Sequence, residues 1–183
     1  MSFLAQDWDN APLIRTAQVV GISSAFMIAG GSGFISYGAA PSYRRLPAPF
    51  MAKQWQLNYE AGKAAAPLFA LASGVSFAYL IAQHAKSSAP SRTLYLYTLA
   101  GVIVPAIVPY TKIVMMKLND RLHAKVTELA GAQPGDGAFE EKGVPQDETV
   151  GSMVEKWRRL NAVRAIAGYI GGIAGLIALV WRD

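Results

Sequence analysis

Three cations stand at the ends of apolar segments that otherwise carry no charge. Lys63 precedes one such segment, Lys112 follows another, and Arg164 precedes the last. A charge next to a bilayer is costly unless it faces protein or water, so an ionisable residue there indicates function by default. If the three side chains converge, they would form a pocket for an acidic, electron-rich ligand.

Aromatic and polar residues recur at helical spacing around these cations. Trp55, Tyr59 and Lys63 are four apart, and Glu60 lies three residues before Lys63. Because residues three or four apart share a helix face, each set predicts one stripe of side chains. Two further stripes are Lys112, Met116, Asn119 and His123, and Trp157, Asn161, Arg164 and Gly168.

The stripes supply the groups that proton abstraction from a carbon acid needs. His123 and Glu60 are the candidate bases, and His123 is slightly favoured because Glu60 sits among cations. Lys63, Lys112 and Arg164 would stabilise the oxyanion, since fixed charges count for more in a low-dielectric site than in water. Candidate ligand contacts are the aromatic rings of Trp55, Tyr59, Tyr110 and Trp157, and the polar side chains of Asn119, Arg159 and Asn161.

Each stripe also has a purely structural interpretation. Trp55 and Trp157 could anchor the protein at the membrane interface. Lys63 and Arg164 could extend to lipid head groups, and Glu60 could be only a salt-bridge partner of Lys63. The functional interpretation depends on the stripes meeting at one end of a helix bundle.

Composition excludes several classes of protein. The chain of 183 residues is 52% hydrophobic and 16% charged, against about 25% charged in soluble domains. It has no cysteine, which excludes thiolate nucleophiles, zinc–thiolate sites and iron–sulfur clusters. Two histidines, His84 and His123, are too few for a multi-haem or di-iron membrane enzyme, and no metal site is predicted. The net charge of +5 is explained by basic residues in the loops between membrane spans, so no nucleic-acid partner is predicted.

Four apolar stretches predict the fold. They indicate an all-α, integral membrane four-helix bundle that forms a single domain, residues 1–183. The length of each stretch is close to the roughly 20 residues that a helix needs to cross a bilayer. Membrane lipid is therefore a predicted partner. The predicted spans are 16–40, 64–84, 93–116 and 161–181.

Residues between and within the spans give finer predictions. A short amphipathic helix is expected before span two. A flexible loop, about 128–150, is rich in Gly, Pro and acidic residues and separates spans three and four. Gly and Ala recur every four residues in three spans, which predicts close helix packing and leaves self-association open. Pro105 and Pro109 predict a bend in span three.

Basic residues divide unevenly between the two sides of the predicted bundle. Thirteen of the 17 Lys and Arg residues lie in segments 41–63 and 112–164. Cytoplasmic loops carry the excess of Lys and Arg, so both longer loops are predicted to be cytoplasmic. The absence of a cleavable signal pattern favours the endoplasmic reticulum or a related internal membrane.

Three segments of the chain resemble the sequences of a known protein family. They are QWQLNYEAGKAAAPLFALASGVSFAYL at 54–80, AIVPYTKIVMMKLNDRLHAK at 106–125 and VEKWRRLNAVRAIAGYIGG at 154–172. These segments resemble the fungal anthrone oxygenase family, whose members are small four-span membrane proteins. The runs W-x-x-x-Y-E-x-G-K and W-x-x-L-N-x-V-R are the strongest marks of the likeness, which extends over about residues 16–182. One departure is Leu118 before Asn119, where relatives commonly have Thr.

The resemblance implies an enzyme that oxidises an anthrone to an anthraquinone with molecular oxygen in aromatic polyketide biosynthesis. Emodin anthrone and related polyhydroxylated tricyclic anthrones are the implied substrates. No cofactor is implied, and O2 is the co-substrate. An association with polyketide pathway enzymes is compatible with this role.

Three alternatives remain open at the level of sequence. The first is an iron-dependent form of the same oxygenase, with His123, Glu60 and a second carboxylate or an Asn as ligands, although the ligand spacing gives it no support. The second is a non-enzymatic four-span scaffold for polyketide pathway enzymes. The third is a transporter of phenolic products, for which four spans are few.

Overall fold

All secondary structure in the described part of the chain is helical. The computed structural model describes residues 3–86 and 91–181. The first helical stretch consists of α1 (Phe3–Phe34), a π-helical turn (Ile35–Ala39) and α2 (Ala40–Tyr43), and α3 follows as Ala48–His84. The third consists of α4 (Arg92–Ile103), α5 (Ile107–Tyr110), a second π-helical turn (Thr111–Met115) and α6 (Met116–Glu128). A 3-10 turn (Gln146–Glu148) precedes α7 (Val150–Val180).

Four helical stretches among the described residues are long and apolar enough to cross a membrane. They are Pro12–Tyr43, Ala48–His84, Arg92–Glu128 and Val150–Val180. The predicted all-α, integral membrane four-helix architecture is therefore confirmed. With 31 to 37 residues each, the stretches exceed the roughly 20 residues that a bilayer needs. Their ends therefore extend beyond the hydrocarbon layer and can carry polar side chains.

Large apolar side chains are exposed in all four of these helical stretches. On α3, for example, Leu68, Leu71 and Val75 are more than 60% exposed. A soluble protein rarely exposes a continuous apolar face of this kind. In a bilayer the exposure of such a face costs no free energy, because lipid tails are as apolar as the side chains themselves.

The amphipathic helix predicted before span two is present as the first part of α3. Ala48, Met51 and Trp55 are buried on one side, whereas the polar residues Lys53 and Gln54 are exposed. This part continues into the span as a single helix, Ala48–His84, which contains Pro67.

The segment 129–149 is irregular apart from its 3-10 turn. The backbone N–H of Gln133 donates to the Asp136 carboxylate at 2.8 Å, and that of Val150 donates to Glu141 at 2.9 Å. Phe139 packs edge-on against Phe50 of α3, with ring centroids 6.1 Å apart. The segment thus makes several hydrogen bonds and packing contacts. Its predicted flexibility stays a prediction.

The described residues form two compact units. The first unit contains 3–29, 67–86, 91–107 and 167–181, and the second contains 30–66 and 108–166. Whether the chain behaves as a single domain stays a prediction.

Small residues bring the helices of the first unit close together. A Cβ added at Gly168 would lie 2.9 Å from the backbone nitrogen of Ala29, and one at Gly175 would lie 2.8 Å from the Phe77 ring. The close packing predicted from the Gly and Ala rows is confirmed at Ala29 and Gly175, which belong to those rows. The helix is interrupted between α4 and α5, around Pro105, where a proline lacks the backbone N–H of a regular helix. The predicted bend of span three stays a prediction.

Candidate functional site

Trp55 is the centre of an aromatic cluster in the second unit. It is fully buried and stacks on Tyr59, with ring centroids 5.1 Å apart and an interplanar angle of 24°. His123 lies edge-on to both rings, 5.0 Å from Trp55 and 4.9 Å from Tyr59. Trp157 is perpendicular to Trp55 at 6.1 Å. Side chains from α3, α6 and α7 therefore meet in one cluster.

The carboxylate of Glu60 is shared by two neighbours at the edge of this aromatic cluster. Its Oε1 lies 3.8 Å from Nε2 of His123, and its Oε2 lies 3.6 Å from Nζ of Lys63. The Nζ of Lys63 is also 5.8 Å from the centroid of the Tyr59 ring. Because the side chains of Glu60 and Lys63 are at least half exposed, their ion pair contributes little to stability. The two candidate bases are nonetheless neighbours.

Glu60 and His123 are also the pair considered for an iron site. No group of three or more His, Cys, Asp or Glu side chains that could hold a metal ion occurs in residues 3–86 and 91–181. An ion at this pair would need additional ligands from water or substrate.

Asn119 and Asn161 are buried and link helices through their side-chain amides. Oδ1 of Asn119 accepts a hydrogen bond from the indole N–H of Trp157 at 3.0 Å. Nδ2 of Asn161 donates to the Ser32 carbonyl at 3.0 Å and to the Ser36 hydroxyl at 2.9 Å. Ser32 and Ser36 are not among the residues that the sequence analysis singles out. Their signal is weak, since it consists of two serines four apart in an apolar span.

The two π-helical turns belong to the second unit. Ser36 lies in the first turn, where its carbonyl also accepts from Arg158 at 3.5 Å. Pro41 follows this turn and has no N–H to donate to the carbonyl of Tyr37, which accounts for the widened helix. Turns of this type are frequent at functional sites. The second turn separates Tyr110 from Asn119.

Arg164 is half-buried beside two tyrosines. The hydroxyls of Tyr59 and Tyr110 lie within electrostatic range of its guanidinium group. The Tyr110 hydroxyl donates to the Leu160 carbonyl at 3.2 Å. Arg164 and Lys63 are therefore two predicted cations that interact with Tyr59, Arg164 electrostatically with its hydroxyl and Lys63 with its ring.

Three buried N–H donors of the second unit have no acceptor in the described part of the chain. They are Nε1 of Trp55, Nδ2 of Asn119 and Nε of Arg164. Leaving such a group unsatisfied costs about 1–3 kcal/mol, so native proteins normally supply a partner from protein, water or ligand. The three donors are therefore candidate binding groups for acceptor oxygens of a ligand.

Lys112 and Arg159 lie apart from the aromatic cluster. Lys112 is exposed, and no contact joins its side chain to that cluster within the described ranges. Lys112 lies in the π-helical turn Thr111–Met115. One extra residue per turn rotates the following helix by about 100°, so Lys112 does not share a face with Asn119 and His123. Its predicted convergence with the other cations is therefore not seen in the structure.

Arg159 is 74% exposed and donates to Glu155 at 2.8 Å. Glu155 also accepts from Arg44 and Arg158 at 2.8 Å. Glu155 is not among the predicted site residues, because its pairing with Arg44 joins positions far apart in sequence.

Comparison with known proteins identifies the family of the chain. The family model described as anthrone oxygenase matches residues 55–174. This range begins at Trp55 and includes His123 and Arg164. The chain belongs to the anthrone oxygenase family. The family resemblance noted in the three sequence segments is thereby confirmed.

Individual members of the anthrone oxygenase family show the extent of the similarity. Anthrone oxygenase encC of Aspergillus fumigatus is 32% identical over 133 residues, which is 70% of each chain. Anthrone oxygenase of Claviceps purpurea is 26% identical over 164 residues, 88% of this chain and 87% of the relative. Monooxygenase hypC of Dothistroma septosporum is 24% identical over 125 residues, 68% of this chain and 60% of the relative. No solved structure is significantly similar to the chain. At family level the protein is an oxygenase enzyme.

Proposed function

We propose that this membrane protein oxidises a polyhydroxylated anthrone, such as emodin anthrone, to the anthraquinone with molecular oxygen. The ring methylene loses two hydrogens and becomes a carbonyl, and the second oxygen atom of O2 leaves as water. Family membership and the names of the relatives support this reaction. The observation that carries the proposal is the set of three unpartnered buried donors beside the aromatic cluster, within the described residues.

The substrate's shape and polarity suit these side chains. Its flat tricyclic face would pack on the ring of Tyr59 or Trp55. Its phenolic and carbonyl oxygens would accept from the N–H donors of Trp55, Asn119 and Arg164. Trp55 and Trp157 are closed against each other, so substrate entry requires a rearrangement. Tyr59 is the more exposed ring and is the side chain that would turn aside.

The first chemical step is removal of a proton from the ring methylene. His123 is the base, and Glu60, 3.8 Å away, orients its ring and stabilises the imidazolium. The electron pair of the broken C–H bond moves into the ring system and gives an anthranolate. Arg164 stabilises the charge on its oxygen, with Lys63 at the edge of the site. A preorganised donor of this kind contributes about 3–4 kcal/mol to the transition state.

Oxygen reacts with the electron-rich anthranolate. One electron passes from the anion to O2, and the resulting radical and superoxide combine at the former methylene carbon. The peroxide takes up the proton. Loss of the remaining hydrogen on that carbon as a proton, together with cleavage of the O–O bond, gives the carbonyl and water. This sequence needs no cofactor, because O2 accepts all four electrons.

The proposed reaction takes place at an internal membrane of the cell. The protein would lie in the endoplasmic reticulum or a related internal membrane, with segments 41–63 and 112–164 in the cytoplasm. There it could receive a poorly soluble substrate through the bilayer or from associated polyketide pathway enzymes. Selective permeabilisation of cells with tags in the two loops tests the orientation.

The reaction is tested by aerobic conversion of emodin anthrone with the detergent-purified full chain, measured above the spontaneous rate. We expect clear acceleration by the wild type. Arg164→Met should lower the rate at least tenfold, and by about 10²–10³-fold if the donor acts fully in the transition state. The matched control, Lys117→Met, removes an exposed cation of the same unit and should keep the wild-type rate. A folded wild-type protein that gives no acceleration would overturn the proposal.

A further inference from the structure

We propose that a depression on the second unit binds the phosphate-bearing head group of an anionic phospholipid. The depression has a volume of about 410 Å³ and opens to the outside. Its size lies in the range of ligand pockets, about 300–1,000 Å³. The lining residues that carry the proposal are Arg44, Thr149, Ser152, Glu155, Lys156 and Arg159. None of the donors assigned above to the anthrone lies in it.

Glu155 organises the positive charge of this depression. Its two oxygens accept from Arg44, Arg158 and Arg159, each at 2.8 Å. Three guanidinium groups thus share one carboxylate, which leaves an excess of positive charge. Lys156 is exposed and forms no ion pair with any described residue, so it adds a further positive charge. The depression is therefore suited to an anion in spite of the acidic residue in its wall.

The arginines keep donors available for a ligand. Arg44 contacts Glu155 through Nη1 alone, and Arg159 does so through Nε alone. Their side chains are 43% and 74% exposed. The planar guanidinium fork matches the oxygens of a phosphate group, and pairs of this type are frequently bidentate. Glu155 therefore holds the arginines in place while their other N–H groups stay available to a ligand.

The position along α7 indicates a lipid as the source of the phosphate. Arg159 lies five residues before Arg164, and α7 then carries no charge through Val180. Five helical residues span about 7.5 Å. The head-group layer extends about 5–7 Å beyond the hydrocarbon. When the apolar part of α7 occupies the hydrocarbon, Arg159 lies at head-group level, where basic residues attract anionic lipids.

Native mass spectrometry of the detergent-solubilised full chain tests this site. The protein is incubated with an equimolar mixture of dioleoylphosphatidic acid and dioleoylphosphatidylcholine. The spectra give the number of molecules of each lipid bound per chain. We expect one retained phosphatidic acid and little phosphatidylcholine. In Arg44→Gln/Lys156→Gln/Arg159→Gln the preference should fall at least about tenfold. The single variant Lys156→Glu changes an exposed side chain only, so it should weaken the preference without affecting folding.

A matched variant separates this site from general charge attraction. Lys53→Gln/Lys117→Gln/Lys142→Gln removes the same charge from the same unit outside the depression and should keep the preference. Equal losses in the two triple variants would overturn the proposal, as would full retention of phosphatidic acid by the first. Displacement of the lipid by inorganic phosphate at matched phosphate concentration would also overturn it, because the site would then take the free ion.

Discussion

The indole N–H of Trp157 donates to Oδ1 of Asn119 at 3.0 Å. The neighbouring indole of Trp55 lies 6.1 Å away, and its N–H has no acceptor among the described residues. Two buried tryptophans in one cluster therefore differ in what their polar atoms do. The first holds α6 to α7, whereas the second is available to a ligand.

Exchange of each tryptophan for phenylalanine should separate these roles. Trp157→Phe leaves Oδ1 of Asn119 buried without its donor, which costs about 1–3 kcal/mol beyond the loss of packing. Trp55→Phe removes a donor that has no partner in the described part, so the packing loss alone remains. Chemical unfolding in detergent should show Trp157→Phe as the less stable variant. Conversely, emodin anthrone turnover should fall more in Trp55→Phe. The same order in both measurements would contradict the assignment.

The three cations singled out in the sequence should differ in importance. Arg164 is half-buried, Lys63 is 62% exposed, and Lys112 is exposed and outside the aromatic cluster. Because charge acts more strongly when it is shielded from water, the loss of kcat/KM should decrease in the order Arg164→Met, Lys63→Met, Lys112→Met. Steady-state kinetics on the three variants check this order. A Lys112→Met variant as damaged as Arg164→Met would contradict it.

His123 and Glu60 should contribute unequally to proton removal. His123→Gln removes the proposed base and should lower kcat by about 10²–10⁴-fold. Glu60→Gln removes only the group proposed to orient His123 and should lower kcat less. Substrate deuterated at the ring methylene should react more slowly in the wild type if proton removal limits the rate. Glu128→Gln, which breaks a comparable i,i+3 ion pair with Lys125, is the control. A larger loss in Glu60→Gln would identify Glu60 as the base.

Gly168 should tolerate no larger side chain. An added Cβ would lie 2.9 Å from the backbone nitrogen of Ala29 and 3.0 Å from the carbonyl oxygen of Ala25. Backbone atoms cannot turn aside, so Gly168→Ala should lower the unfolding free energy by about 1–3 kcal/mol. At Gly30 an added Cβ meets nothing within 4 Å, and Gly30→Ala should be neutral or stabilising by up to about 1 kcal/mol. Thermal unfolding in detergent compares the two.

Metal removal distinguishes the proposed mechanism from its iron-dependent alternative. We expect the purified chain to keep its activity after treatment with a chelator. Elemental analysis of the same sample should show less than one metal ion per chain. Activity that disappears with the metal and returns with added iron would instead assign a metal to the Glu60–His123 pair.

Local patterns in the sequence predict the helices and several side-chain groupings of the candidate site. Apolar length alone identifies the four spans, because crossing a bilayer requires about 20 apolar residues. Helical spacing correctly groups Trp55 with Tyr59, and Asn119 with His123, since each pair lies within one regular α-helix.

The remaining features depend on information that spacing does not contain. Lys112 departs from its predicted stripe because a π-helical turn changes the register of side chains along the helix. The bond from Asn161 to Ser36 and the ion pair of Glu155 with Arg44 join residues more than 100 positions apart. Such pairings depend on how the helices pack against one another. The sequence alone does not identify them, because each of these side chains could form a hydrogen bond or ion pair with several other residues.

The arrangement of Trp55 beside Trp157 also has a spectroscopic consequence. The chain has four tryptophans, and replacing Trp8 and Trp181 by phenylalanine would leave these two as the emitting residues. Indole fluorescence responds to hydrogen bonding at the ring nitrogen and to nearby aromatic absorbers. Under anaerobic conditions, where the anthrone cannot be consumed, a titration of this emission would measure the occupancy of the aromatic cluster separately from its chemistry.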